Sequence, residues 1–166
     1  MSAVKSSYLV TSADGERADF PALGSRYVLG GGRTGGAFAI IEHTIPPRTL
    51  AAPMHVHEHE DEYSFVLAGR MGVQIGDEIL DAGPGDLVVK PRGIPHAFWN
   101  HGELETRLLE IISPSGFEKF FAELAPALNI DGPPDFAAIG ALQARYGLRM
   151  DFQSAERLMR EHDLRA

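Results

Sequence analysis

Between about residue 24 and residue 112 short apolar runs alternate with turn residues. "SRYVL", "AFAIIEHTI", "EYSFVLAG", "MGVQIG", "EILDAG", "DLVVKP", "HAFWN" and "TRLLEIIS" are rich in Val, Ile, Phe and Tyr, and Gly, Pro and Asp separate them. Short strands repeated at this spacing predict a sandwich or a closed barrel. The period changes at "SPSGFEKFFAELAPAL". Ser113 reads as an N-cap with Pro114 in the first helical position, and Phe117, Phe120, Phe121 and Leu124 fall at helical spacing. A second helix is predicted over 135–146, stopped by Gly147, and a third over 154–163. The chain thus divides into a β-barrel with its N-terminal strands, 1–112, and a helical extension, 113–166. The extension is too small for a core of its own, so its apolar stripe is expected to dock on the barrel. "GGGRTGG" at 30–36 lacks the Lys-Ser/Thr of a phosphate loop and opens no helix, so it reads as a flexible turn.

Composition narrows the function classes. A chain of 166 residues, 44% apolar and 23% charged, suits one ordinary globular domain. No stretch approaches the roughly 20 apolar residues of a membrane span, and the N-terminus has no apolar signal core. Without cysteine there is neither a disulfide nor a thiolate metal site. These features together read as a cytoplasmic protein. A net charge of −8 argues against nucleic acid or an anionic membrane as partner, since both require a basic face. The charge says nothing about a small-molecule partner.

The chemistry concentrates in "HVHEHEDEYSFVLAG", residues 55–69, which places three of the chain's seven histidines at alternate positions. In a strand, i and i+2 share a face, so His55 and His57 point the same way. Glu62 opens the next strand. In "GDLVVKPRGIPHAFWN", residues 85–100, a Pro-x-Gly turn leads to His96 at the start of another strand. Three imidazoles and one carboxylate suit Fe, Mn, Ni, Cu or Zn rather than Mg or Ca, and leave positions open for water, O2 or substrate. The bland reading is that the glycines and prolines serve turns and the histidines lie idle at hairpins. His59 reads as solvated or as support for a ligand. Glu58, Glu60 and Asp61 read as a solvated rim, and His43, His101 and His162 as structural or exposed. Asn100 reads as a turn or supporting residue. Trp99 alternates away from His96 and should face outwards, under a partner chain or the C-terminal helices.

These residues resemble the two motifs of the cupin family. The first, G-x5-H-x-H-x3-4-E-x6-G, is matched by His55, His57, Glu62 and Gly69, with Thr49 where the leading glycine stands. The second, G-x5-P-x-G-x2-H-x3-N, is matched in full by Gly85, Pro91, Gly93, His96 and Asn100. The resemblance implies a mostly β cupin barrel (a double-stranded β-helix, or jelly roll) with a short C-terminal helical tail. It also implies one divalent transition metal on His55, His57, Glu62 and His96. The chain looks most like the small quercetin dioxygenase-like cupins. That likeness implies a metal-dependent oxygenase for a hydrophobic or aromatic molecule, with Glu62 as ligand and also as the catalytic proton acceptor. A non-redox cyclase, isomerase or lyase, or a binding module without chemistry, stays open, because the fold hosts all of these. By parity Ser64 and Val66 share the side of Glu62, and Phe98 that of His96, so the pocket is expected to be apolar, without an evident Arg or Lys pair. Single-domain cupins commonly pair, which implies a homodimer with Tyr27–Leu29 and Trp99 near the interface.

Overall fold

In the computed structural model, which describes residues 9–20, 22–128, 133 and 135–165, the alternation of the sequence becomes two facing antiparallel sheets. Residues 1–8, 21, 129–132, 134 and 166, assigned above to barrel and extension, lie outside the described residues. One sheet contains β1 (Arg17–Phe20), β2 (Leu23–Leu29), β3 (Ala39–Ile45), β5 (Asp61–Ala68), β8 (Leu87–Lys90) and β10 (Thr106–Ser113), in the order β1-β2-β3-β10-β5-β8. The other contains β4 (Thr49–His57), β6 (Met71–Ile75), β7 (Glu78–Ala82), β9 (His96–Asn100) and β11 (Leu148–Met150), in the order β11-β4-β9-β6-β7. From β3 to β10 the chain passes repeatedly between the sheets, which is the winding of a double-stranded β-helix.

Period-two burial explains the interior. β3 buries Ala39, Ile41, His43 and Ile45 and leaves Ile40, Glu42 and Thr44 only partly covered. Ile45, Val66, Met71, Val73, Val88, Phe98 and Leu108 form the main cluster between the sheets. β9 departs from alternation because all five of its residues are buried. Its outer face lies under α3 (Ser154–His162), where Leu50, Ala97 and Trp99 pack on Leu158. Trp99 stacks on His162 at 4.1 Å between centroids, so this chain's own helix covers it. The close fit requires glycine at position 72, where a Cβ would meet Trp99 Nε1 at 2.1 Å. Tyr27, the other expected interface residue, packs beside Ile41, Ile112 and Phe117 of the same chain.

The helical segment follows the sequence reading with one shift. α1 spans Glu118–Leu128 rather than starting at Pro114. The ladder of β10 with β5 runs on to Ser113, opposite Asp61, so Ser113 closes a strand instead of capping a helix. α2 (Phe136–Tyr146) is capped by Asp135, whose Oδ1 accepts from Ala138 N at 3.0 Å. It ends at Gly147, whose φ of 61° reverses the chain into β11. β11 pairs with β4 and, with α3, covers an edge that would otherwise be open. The glycine-rich stretch is an ordered single turn, Gly31–Arg33, and Gly31 N donates to Glu118 Oε1 at 3.2 Å. Among the described residues no helix is long and apolar enough to cross a membrane.

Candidate metal centre and its cavity

Three strands deliver the four expected ligands to one place. His55 and His57 end β4, Glu62 is the second residue of β5, and His96 opens β9 opposite His55. One donor atom from each of His55, His57, Glu62 and His96 lies within 4.8 Å of the other three, and all four residues are buried. His59 does not join them; it is exposed and lies against Gly147.

Hydrogen bonds fix which ring nitrogens face inwards. His55 Nδ1 lies 2.8 Å from Pro53 O, and His96 Nδ1 lies 3.1 Å from Ile94 O. A carbonyl only accepts, so both Nδ1 atoms carry the proton and both Nε2 atoms present a lone pair. His96 Nε2 nevertheless sits 3.2 Å from Glu62 Oε2, and His57 Nε2 3.4 Å from Glu62 Oε1. An imidazole lone pair that faces a buried carboxylate is unfavourable unless a cation lies between them. Protonating the rings is the other remedy, and burial opposes it. Burial, with His96 and His57 nearby, holds His55 well below its ordinary value; burial likewise lowers His96, although Glu62 acts the other way. Burial alone would raise the Glu62 carboxyl, but His57, Lys90 and His96 outweigh it and hold the group well below the carboxylate range. The donor set therefore fits a divalent metal.

Several polar residues of the site were not predicted. Lys90, 1% exposed, donates to Glu62 Oε2 at 2.9 Å and to Glu110 Oε2 at 2.8 Å. Glu110, 2% exposed, also accepts from Ser64 Oγ at 2.8 Å, while its Oε1 is buried and has no hydrogen-bond partner among the described residues. Burial pushes Glu110 up to about 7, helped by Glu62 and opposed by Lys90 and Ser64. Glu60, expected on a solvated rim, is buried with Oε2 at 3.7 Å from His57 Nδ1, where a carboxylate can orient the ring. His43 is also internal. It hydrogen-bonds Ser25 Oγ at 3.0 Å, and burial lowers it to about 4.

These groups open on a cavity of about 180 Å³. His55, His57, Glu62, Lys90, Glu110 and His43 form its polar side; Leu23, Ala51, Ala52 and Phe98 of the barrel continue the wall. The helical segment supplies the rest: Phe117 just before α1, Phe121, Leu124 and Leu128 from α1, and Leu148 and Met150 from β11. Phe117 stands edge-on to His57 at 4.3 Å between centroids, and Phe121 edge-on to His43 at 5.6 Å. The aromatic stripe of α1 is thus both packing and pocket wall. Apolar lining was predicted; a buried lysine between two carboxylates was not.

No curated protein sequence matches this chain. Among solved structures, KdgF from Halomonas sp. is 18% identical with a TM-score of 0.58, the match covering 66% of this chain and 96% of that one. A predicted oxalate decarboxylase from Thermotoga maritima is 20% identical with a TM-score of 0.57, covering 64% and 98%. The polyketide cyclase RemF from Streptomyces resistomycificus is 25% identical with a TM-score of 0.55, covering 64% and 79%. Residues 41–112 match the family model for the cupin domain, and this segment contains all four candidate ligands. The winding of the sheets and the matched segment together show that the barrel of this chain has the cupin double-stranded β-helix fold.

Proposed function

We propose that the chain is a metal-dependent enzyme acting on a small, mostly apolar molecule with an ionisable C–H or O–H, such as an enolisable ketone or a phenol. One observation carries the reading: the Nε2 lone pair of His96 faces the Glu62 carboxylate at 3.2 Å, with His57 Nε2 3.4 Å from its other oxygen, beside an apolar cavity. Fe, Mn, Ni, Cu or Zn on His55, His57, Glu62 and His96 would polarise a substrate oxygen and stabilise negative charge on it. Lys90 orients Glu62, Phe117 restrains the His57 ring, and the walls of α1 and β11 exclude water.

Two reaction types fit this substrate class. The apolar lining supports an oxygenase, in which O2 attacks the ionised substrate. The buried Glu110 supports a non-redox cyclase, isomerase or lyase, which needs a proton acceptor and no oxidant; the likeness to a polyketide cyclase supports the same reading. O2 uptake with a panel of flavonols, catechols and diketones separates them.

Untagged protein from metal-replete growth is expected to contain one metal ion per chain, and His57→Ala or His96→Ala to lose most of it. Glu62→Gln is expected to retain part of the metal, because three imidazoles remain as a facial set. Wild-type protein free of metal would overturn the reading. We also propose a homodimer. The outer side of β5 and β8 offers an apolar patch for it, where Phe65, Leu67, Leu87 and Val89 are exposed at a sheet edge. Phe65→Glu is expected to yield monomer in light scattering.

A further inference from the structure

Both oxygens of Glu62 are engaged, one against His57 and the other against Lys90 and His96. Glu110 differs. Its Oε2 is held by Lys90 and Ser64, and its Oε1 is buried with no partner among the described residues. A buried carboxylate oxygen without a partner is costly, and Glu110 lines the same cavity as the candidate ligands His55, His57 and Glu62. Lys90 spans the gap between Glu62 and Glu110, so a molecule in this cavity lies within reach of both.

We infer that Glu110, rather than Glu62, is the proton acceptor of the cavity, and that its substrate is a weak carbon or oxygen acid; this rests on the function proposed above. In the step, Oε1 of the Glu110 carboxylate takes the proton of a substrate C–H or O–H. The electron pair of that bond stays on the substrate as an enolate or phenolate, and the new O–H bond leaves Glu110 neutral. Negative charge moves from protein to substrate with no oxidant or reductant. Returning the proton to a different atom completes an isomerisation, and delivering it to a leaving group completes an elimination. Lys90 and Ser64 act as positioning residues, because they hold Oε2 and so direct the free oxygen.

Burial supports the assignment by pushing Glu110 up to about 7, where a general base works best near neutral pH. The groups around it are Lys90 from β8, Ser64 and Glu62 from β5, and His43 from β3; Phe117, with Phe121 and aliphatic side chains of α1, closes the cavity.

The test has two arms. In metal-free protein, infrared difference spectra are expected to show a buried carboxylic acid that ionises near pH 7. The band should vanish in Glu110→Gln. The wild-type measurement needs neither metal nor variant, so absence of the band from wild type overturns the proposal whatever becomes of the metal reading. In metal-loaded protein, proton NMR in D2O follows exchange of the α-hydrogens of cyclohexanone. Wild type is expected to accelerate exchange, with a rate that rises through pH 7. Glu110→Gln should lower it roughly 100- to 10,000-fold with metal content unchanged, and Glu110→Asp should restore a measurable part. Unchanged exchange in Glu110→Gln, loss of its metal, or no acceleration by wild type would each overturn the assignment. Metal-free wild type would sink the preceding reading alone.

Discussion

Two floors share the barrel interior, and five strands contribute to both. β3 passes from Ile45 to His43, β5 from Val66 to Ser64 and Glu62, and β8 from Val88 to Lys90. β9 passes from Phe98 to His96, and β10 from Leu108 to Glu110. Two residues along each strand, hydrocarbon gives way to a titratable or hydrogen-bonding group at nearly the same burial. The apolar floor gains from its burial, about 25 cal/mol per Å² removed from water. The polar floor is costly, because every group must find a partner or stay unsatisfied. Stability and chemistry are therefore layered along the barrel axis rather than divided between core and surface.

The comparison breaks most sharply at Lys90. Lys90→Met leaves Glu62 and Glu110 buried without their counter-charge. Above pH 7, in metal-stripped protein, it is expected to lose about 3–5 kcal/mol in urea unfolding. Adding Glu110→Gln should restore part of the loss. Failure of the double variant to recover would mean that the lysine stem, not its charge, supports the site. On the other floor, Leu108→Ala is expected to cost about 2–5 kcal/mol while leaving metal content unchanged. Metal loss there would show that the floors are coupled.

The smallest effect is one of pH. Burial holds His43 near 4, below its ordinary 6.5, so the unfolded chain binds the extra proton between those values. Its contribution is complete above pH 6.5 and is lost as pH falls through about 4. Glu110 runs the other way. Raised from 4.5 to about 7, its contribution is complete below 4.5 and is lost as pH rises through about 7. Over the shared window the two slopes oppose each other, each at most about 1.4 kcal/mol per pH unit. The stability of wild type over His43→Asn should therefore grow as pH rises from 4 to 6.5, and that over Glu110→Gln should shrink from 4.5 to 7. Parallel curves would place both groups outside the titrating set.

The candidate ligand cluster was legible because its spacing is local: His55 and His57 share a strand face, and fixed turn residues lead to Glu62 and His96. Lys90 was not. In "DLVVKP" it stands at a strand end before a proline, where a lysine is ordinarily solvated. Glu110 was hidden by "LLEIIS", where both faces of β10 are apolar and alternation cannot say which faces the core. Glu60 was lost in an acidic run, and β11 has only three residues, too few to show a period. The start of α1 was misplaced because Ser-Pro satisfies a cap rule while the β10 ladder still holds the serine.

The cavity is walled by two stretches of chain with different constraints. The candidate ligands and Lys90 belong to the strands of 41–112, whereas Phe117, Phe121, Leu124, Leu128, Leu148 and Met150 come from the segment that follows. Exchanging Phe121, Leu124 or Leu128 in that second stretch would alter the shape offered to a ligand and leave the four candidate donor side chains untouched. A lineage built this way can change its diet by mutation in the appendage alone, and two chains with the same four ligands need share no substrate.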